Sequence, residues 1–203
     1  MKFFFRDQAP RLHRYLPEAR SLPLSFSTTK GLPSRLIRQE TGAPTNDLSD
    51  VDLGFLFRYE IFPRRILKFF GEWQRHGREM EPGDVIVQQV QVPPGWGSYF
   101  TFSVRILSVY REETRAGFSY GTLRGHPETG VNEFSFCLSD GVLSATIQTV
   151  AGLGHMLSRL LGPVFTWRYI NWCNAQALSQ MVNQFGIANP VARSTSGPHP
   201  TTL

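Results

Sequence analysis

The sequence is poor in cysteine, with only Cys137 and Cys173 among 203 residues. Neither cysteine belongs to a CxxC pair or has a paired histidine nearby, so the ligand spacing of a zinc site is absent. Cys137 lies in a strand-like run and Cys173 on the apolar side of a helical pattern, which favours two buried thiols in a reducing compartment. The sequence therefore predicts no metal site.

The sequence also lacks a long apolar run. The opening MKFFF is followed at once by Arg6 and Asp7, which leaves it far too short for the core of a signal peptide. No stretch of 18 apolar residues occurs, because Arg159, Arg168 and several polar residues interrupt the best candidate. We therefore expect a cytoplasmic protein without a membrane span.

Familiar catalytic motifs are missing as well. The chain has no G-x-S-x-G elbow, HExxH pair, P-loop or dinucleotide-binding fingerprint, and the run from Gly152 to His155 is too short for a phosphate loop. This absence lowers the odds of an enzyme without removing them. We predict no cofactor and assign no catalytic residue from sequence motifs.

Acidic residues are scarce near the N-terminus. Residues 1–44 carry eight Lys/Arg and three Asp/Glu, whereas residues 45–203 carry thirteen of each. Residues 21–46 are rich in Ser, Thr, Pro and Gly, a composition typical of a loop or a loosely attached arm. We predict a solvated basic arm over residues 1–46, with weak support for a nucleic acid or another anionic partner.

The chain is well supplied with alternating apolar runs. Residues 53–62 alternate with a period of two, which predicts a strand with one buried face, and the segment after Pro63 predicts a helix that stops at Gly77. Five further strands are predicted at residues 85–92, 99–111, 116–123, 132–138 and 142–150. Asp140-Gly141 is the strongest hairpin signal. Such short connections favour an antiparallel meander.

The last predicted element is helical. It begins near Gly152, is interrupted at Gly162-Pro163, and runs to about Phe185 with apolar residues at helical spacing. A long helix that covers an antiparallel sheet gives an α+β, helix-grip architecture, in which a curved antiparallel sheet of about six or more strands wraps on the C-terminal helix. We place this domain at residues 47–188 and predict a disordered polar tail at residues 189–203.

Five side chains are candidates for contact with a ligand. In the turn between Gly125 and Gly130, His126 and Glu128 either bond the free amides of the turn, which the spacing favours, or contact a ligand. Tyr120 lies in a strand that two glycines should bend, and it points either into a cavity or into the core. Trp96 at a loop tip and Arg168 beside the second helical segment are candidates for a lid and a cavity mouth, although packing is the simpler interpretation of the aromatic residues.

The stretch AGFSYGTLRGHPETG, residues 116–130, resembles the bacterial and plant family catalogued as domain of unknown function 1990. The matching residues are Gly117, Phe118, Tyr120, Gly121, Thr122, Leu123, Gly125, His126, Pro127 and Glu128. Weaker similarity extends from Asp47 to about Phe185. Arg124 departs from a usual proline, and Val131-Asn132 replaces a common acidic pair. The resemblance implies similarity to helix-grip proteins that bind lipids, sterols and polyketides.

The sequence supports three hypotheses about function. The leading hypothesis is the binding of a small apolar or amphipathic ligand between the sheet and the C-terminal helix. The second is an enzyme of the same fold that uses His126 and Glu128 on a bound small molecule. The third is an interaction protein that uses its basic N-terminal arm.

Overall fold

The computed structural model describes residues 1–44, 47–92, 97–154 and 163–190, without the side chains of residues 43–44 and 163–167. The strands are β1 (Lys2–Phe4), β2 (Ser34–Pro44), β3 (Leu67–Gly71), β4 (Val85–Gln91), β5 (Tyr99–Arg111), β6 (Arg115–Thr122), β7 (Glu128–Ser139) and β8 (Val142–Leu153). The helices are α1 (Leu16–Ser21), α2 (Gly54–Phe57) and α3 (Pro163–Ala188), and short 3-10 helices cover Ala9–Tyr15, Leu48–Asp50 and Glu72–Arg75.

The strands form one antiparallel sheet in the order β2-β8-β7-β6-β5-β4-β3, and β1 pairs with β5. Strands β3 to β8 follow one another in space as they do in sequence, which confirms the predicted meander. The β7–β8 turn is built on Asp140 with φ 53° and Gly141 with φ 74°. Two successive positive φ angles are what a tight hairpin needs, so the hairpin prediction is confirmed.

Both faces of the sheet are covered. On the inner face, α3 contacts β2 and β8, and its buried residues join the main core. On the outer face, Leu12 and Leu16 of the N-terminal helical segment pack against Val85 and Val87 of β4. Ile86, between those two valines, belongs to the inner core. Successive residues of β4 therefore serve opposite faces, as strand geometry requires.

The structure corrects the predicted loop over residues 21–46. Residues 34–44 form β2, which pairs with β8 from Ser34 opposite Val150 to Glu40 opposite Ser144. The strand lies at one edge of the sheet, where one face and one backbone edge meet water, so most of its side chains are polar. A polar edge strand lacks the apolar alternation that identifies buried strands.

Residues 53–62 form α2 and a turn, so the predicted strand here is wrong. The Arg58 N–H donates to the Gly54 carbonyl, and Tyr59 has φ 65°, which a strand does not permit. Leu56 and Phe57 are neighbours in sequence and both are fully buried. The apolar residues of this segment are buried while Arg58 and Glu60 are exposed, and its backbone is satisfied by local hydrogen bonds.

The helix predicted after Pro63 is also wrong, since this segment forms β3 and a 3-10 helix. The Phe69 ring lies 5.0 Å from the Tyr59 ring on the inner face, and the Phe70 ring lies 6.0 Å from the His13 ring on the outer face. A strand that is covered on both faces has apolar residues at consecutive positions. Such a run imitates one side of a helix.

The C-terminal helix begins at Pro163, where the Gly162-Pro163 signal predicted a helix start. Gly152 and Leu153 belong to β8 rather than to a helix, because they pair with the first residues of β7. Residues 155–162 and 191–203, which include most of the predicted tail, lie outside the described residues. In the part that the structure describes, no helix is long and apolar enough to cross a membrane.

Candidate functional site

A cavity of about 140 Å³ lies between the inner face of the sheet and α3. It is similar in size to a cavity of roughly 150 Å³ that accepts a benzene ring. Most of its wall is apolar and is built from Phe62, Ile66, Leu67, Val90, Phe100 and Phe102. A second cavity of about 380 Å³ lies between β2, β8 and α3 and adjoins the first at Ile170 and Asn174.

Glu128, the first residue of β7, lines the 140 Å³ cavity and is only 8% exposed. Its Oε1 atom has no hydrogen-bond partner among the described residues. Loss of hydration raises the pKa of the carboxyl to about 7, because burial penalises the charged form. A carboxyl group is thus held in an apolar cavity with one oxygen unpaired.

His126 occupies the turn before β7 and also lines the cavity. Its Nδ1 lies 3.0 Å from the Glu128 backbone nitrogen and 3.2 Å from the Glu128 carbonyl oxygen, so the ring is hydrogen-bonded to the backbone of its own turn. Burial lowers the pKa of His126 to about 3, and the ring packs edge-on to Phe102 at 4.5 Å. His126 therefore bonds the backbone of its turn and also lines the cavity.

Tyr120 lines the cavity from β6 and joins a buried chain of polar side chains. Gln88 donates from Nε2 to the Tyr59 hydroxyl at 2.6 Å, and the Tyr59 and Tyr120 side chains are hydrogen-bonded to each other. Burial raises the pKa of both phenols, so both remain neutral. This chain fixes the Tyr120 hydroxyl at one side of the cavity.

The helix contributes Tyr169 and Cys173, which are four residues apart and share one helical side. The Tyr169 hydroxyl donates to the Gln91 carbonyl at 3.3 Å. Burial raises the pKa of the Cys173 thiol to about 12. Both groups therefore face the cavity in neutral form.

Of the five side chains that the sequence suggested for contact with a ligand, three line the cavity. Tyr120, His126 and Glu128 line the same cavity. Arg168 is exposed and does not line it, because Tyr169 takes the inward position on α3 and the guanidinium stays in water. Trp96 lies outside the described residues. Sequence reasoning did not select Gln88, Tyr59, Tyr169 or Cys173 as site residues.

A curved antiparallel sheet, a long C-terminal helix and a cavity between them define a helix-grip protein of the α+β class. The described residues contain no group of three or more side chains that could hold a metal ion. The family model described as "Domain of unknown function (DUF1990)" matches residues 36–181. The chain belongs to this family. No curated protein matches it.

Several solved structures are similar to this chain at low sequence identity. The di-domain ARO/CYC StfQ from the steffimycin biosynthetic pathway is 12% identical, with 88% of this chain and 54% of that chain covered and a TM-score of 0.50. Protein Ms6760 from Mycobacterium smegmatis is 16% identical, with 76% and 91% covered and a TM-score of 0.44. Ginseng major latex-like protein 151 from Panax ginseng is 12% identical, with 69% and 96% covered and a TM-score of 0.37. The chain spans about half the length of StfQ.

Proposed function

We propose that the protein binds one small, mainly apolar molecule with a polar group in the 140 Å³ cavity. The observation that carries this proposal is the unpaired Oε1 of Glu128, which is buried among apolar side chains. An unsatisfied buried polar group costs about 1–3 kcal/mol of stability. A ligand that supplies the missing partner recovers this cost.

The apolar wall and the polar groups of the cavity contribute separately to the binding free energy. A one-ring molecule that buries roughly 150 Å² gains about 4 kcal/mol at 25 cal/mol per Å². A hydrogen bond to a charged group adds about 1.5–3 kcal/mol. The loss of translational and rotational freedom on binding opposes these contributions, so only their surplus appears as affinity. In this proposal Glu128 binds the polar group, and Tyr120 and His126 orient it.

Binding can be tested by native mass spectrometry and by calorimetric titration with one-ring fragments. Cys173→Phe is designed to fill the cavity from α3, since Cys173 lines it. We expect fragments to bind the natural protein and to bind this variant at least tenfold more weakly, with thermal unfolding as the check on folding. Equal binding by both proteins would contradict the proposed site.

A second candidate function is proton transfer on a bound carbonyl compound, supported by the presence of His126 and Glu128 in one cavity. The Glu128 carboxylate would take a proton from the carbon beside the carbonyl and return it, and a pKa close to the working pH suits such a group. The test is hydrogen–deuterium exchange of small ketones in D₂O, followed by NMR. We expect exchange above the buffer rate that Glu128→Gln abolishes; exchange at the buffer rate in the natural protein would rule this function out.

An anionic partner for the N-terminal segment has less support. Lys2 pairs with Glu18 and Arg20 pairs with Glu72, so part of the basic excess is neutralised within the molecule. The two free thiols, Cys137 and Cys173, support a reducing cytoplasmic location as part of the main proposal.

A further inference from the structure

We infer that the ligand carries a protonated amine, which donates N–H hydrogen bonds to the Glu128 carboxylate while aromatic rings enclose its apolar body. This inference rests on the proposed function and adds the charge and the donor chemistry of the ligand. Three observations support it: the unpaired carboxyl oxygen, the charges around it and the composition of the cavity wall.

Among the described lining residues, the Glu128 carboxylate faces only uncharged titratable side chains. These are Tyr120, His126, Tyr169 and Cys173, whose pKa values keep them neutral near pH 7. Met1 also lines the cavity, and burial lowers the pKa of its amino group from 8.0, so more than half of this group is uncharged at pH 8. Burial is the one resolved influence on the carboxyl. The described lining residues thus leave its negative charge uncompensated.

Several kinds of polar group on a ligand could approach the Glu128 Oε1 atom. A hydroxyl supplies one donor but leaves the buried charge uncompensated, and a carbonyl can bind only when the carboxyl holds a proton. A carboxylate or phosphate would be repelled. An ammonium group supplies N–H donors to the carboxylate and also carries the opposite charge. A buried charge that is paired costs far less free energy than a buried charge without a partner.

The wall of the cavity is rich in aromatic side chains. Phe62, Phe100, Phe102, Tyr120 and Tyr169 surround the cavity. The faces of aromatic rings attract cations, by about 0.5–2 kcal/mol when water is excluded. The same rings bury an aliphatic or aromatic body, so one enclosure serves both parts of the molecule. At 140 Å³, the cavity suits an amine on a single ring or a short alkyl chain.

The test compares ligands of one shape and different charge. Benzylamine, benzyl alcohol and benzoate are titrated calorimetrically into the full chain at pH 8. We expect benzylamine to bind at least tenfold more tightly than benzyl alcohol, and benzoate to bind more weakly than either. At pH 5.5 the preference for the amine should fall, because the carboxyl then holds a proton.

Glu128→Gln should remove the preference for benzylamine, so that benzylamine and benzyl alcohol bind this variant about equally. Glu133→Gln is the matched control, because it makes the same chemical change on the same strand at a residue that bonds Tyr110 and Arg115 away from the cavity. It should keep the preference. The comparison of ligands on the natural protein stands even if a variant fails to fold.

The outcomes separate this inference from the proposal on which it rests. Equal or tighter binding of benzyl alcohol would overturn the amine and leave the binding function in place. Failure of all three ligands, together with one-ring hydrocarbons, would overturn the binding function itself. A preference for benzylamine that survives Glu128→Gln would show that another group binds the amine.

Discussion

Glu128 and His126 are adjacent buried groups whose pKa values are shifted in ways that act oppositely on stability. The pKa of Glu128 rises from 4.5 to about 7, so the folded state holds its proton more tightly and loses stability as the pH rises through this window. The pKa of His126 falls from 6.5 to about 3, so the unfolded state takes up the proton and the folded state gains stability as the pH rises from 3 to 6.5. The two effects oppose each other between pH 4.5 and 6.5.

We therefore predict that Glu128→Gln exposes the slope that belongs to His126. Relative to the natural protein, the free energy of unfolding of the variant should increase by about 1.4 kcal/mol per pH unit between pH 4.5 and 6.5, because one opposing proton is removed. Urea unfolding at three pH values measures this difference. His126→Asn should show a relative slope of the opposite sign, and parallel curves for all three proteins would contradict the assignment.

At the level of single residues, only part of the site could be predicted from the sequence. His126 and Glu128 stand out because a constrained turn brings rare residue types together. Gln88 and Tyr59 come from distant segments and meet through a hydrogen bond that no local pattern records. The available signal was a glutamine at position 88, on the same face of β4 as the apolar Ile86 and Val90, which indicates a buried polar partner.

Among the elements, the β7–β8 pair depends on one glycine. Gly130 has φ 148°, and a Cβ placed on it would lie 2.6 Å from the Ala151 Cα on β8. Both the backbone angle and the close approach exclude a side chain. The start of β7, which carries Glu128 into the cavity, therefore requires glycine at this position.

We predict that Gly130→Ala destabilises the protein by more than about 3 kcal/mol, since it adds a clash with backbone to the cost of an unfavourable φ. Gly141→Ala is the control, because Gly141 also has a positive φ, 74°, but open space around it. That variant should lose about 1 kcal/mol. Chemical denaturation measures both, and equal losses would show that the approach of the strands is looser than described.

The outer layer gives a second prediction at the scale of elements. Leu16 of α1 is fully buried against β4, whereas Leu36 of β2 is 63% exposed. Leu16→Ala should cost about 2–5 kcal/mol, and Leu36→Ala should change stability by less than about 0.5 kcal/mol. Denaturant unfolding of the two variants measures the contrast. If Leu16→Ala were neutral, the N-terminal segment would be the loose arm that its composition suggested.

The elements differ in how well the sequence predicted them. The five strands from Val85 to Leu153 were recognised because turn residues separate them. The segment from Leu53 to Arg75 was misassigned because buried and exposed residues do not alternate in it as a strand or a helix would require. In α2, consecutive apolar residues are all buried, and in β3, apolar residues are covered on both faces of the sheet. Strand β2 was missed because most of its side chains are polar and show no apolar alternation. Alternation of apolar and polar residues therefore identifies a strand only where its two faces differ in burial.

For the molecule as a whole, the cavity sets an upper limit on ligand size. At about 140 Å³ it has room for one ring, so affinity should rise with size up to benzylamine and fall for naphthyl amines. Leu67→Ala should shift the optimum toward the larger amines, because Leu67 lines the cavity. Calorimetric titrations of the series measure this.

Leu16→Ala is the matched control for this prediction, since it removes the same atoms from the outer layer. It should lower stability without changing the preferred ligand size. If the two variants behaved alike, the size limit would come from general loosening rather than from the cavity wall.

The C-terminal end of α3 is fastened to the segment before α2. Asn189 donates from Nδ2 to the Asp52 carbonyl at 3.0 Å, and the Asp52 N–H donates to the Asn189 Oδ1 at 2.8 Å. At 1.5 Å per residue, the cavity-lining Ile170 lies roughly 28 Å along the helix from this fastening. The reciprocal hydrogen bonds between Asn189 and Asp52 therefore hold α3 at the end that is remote from the cavity.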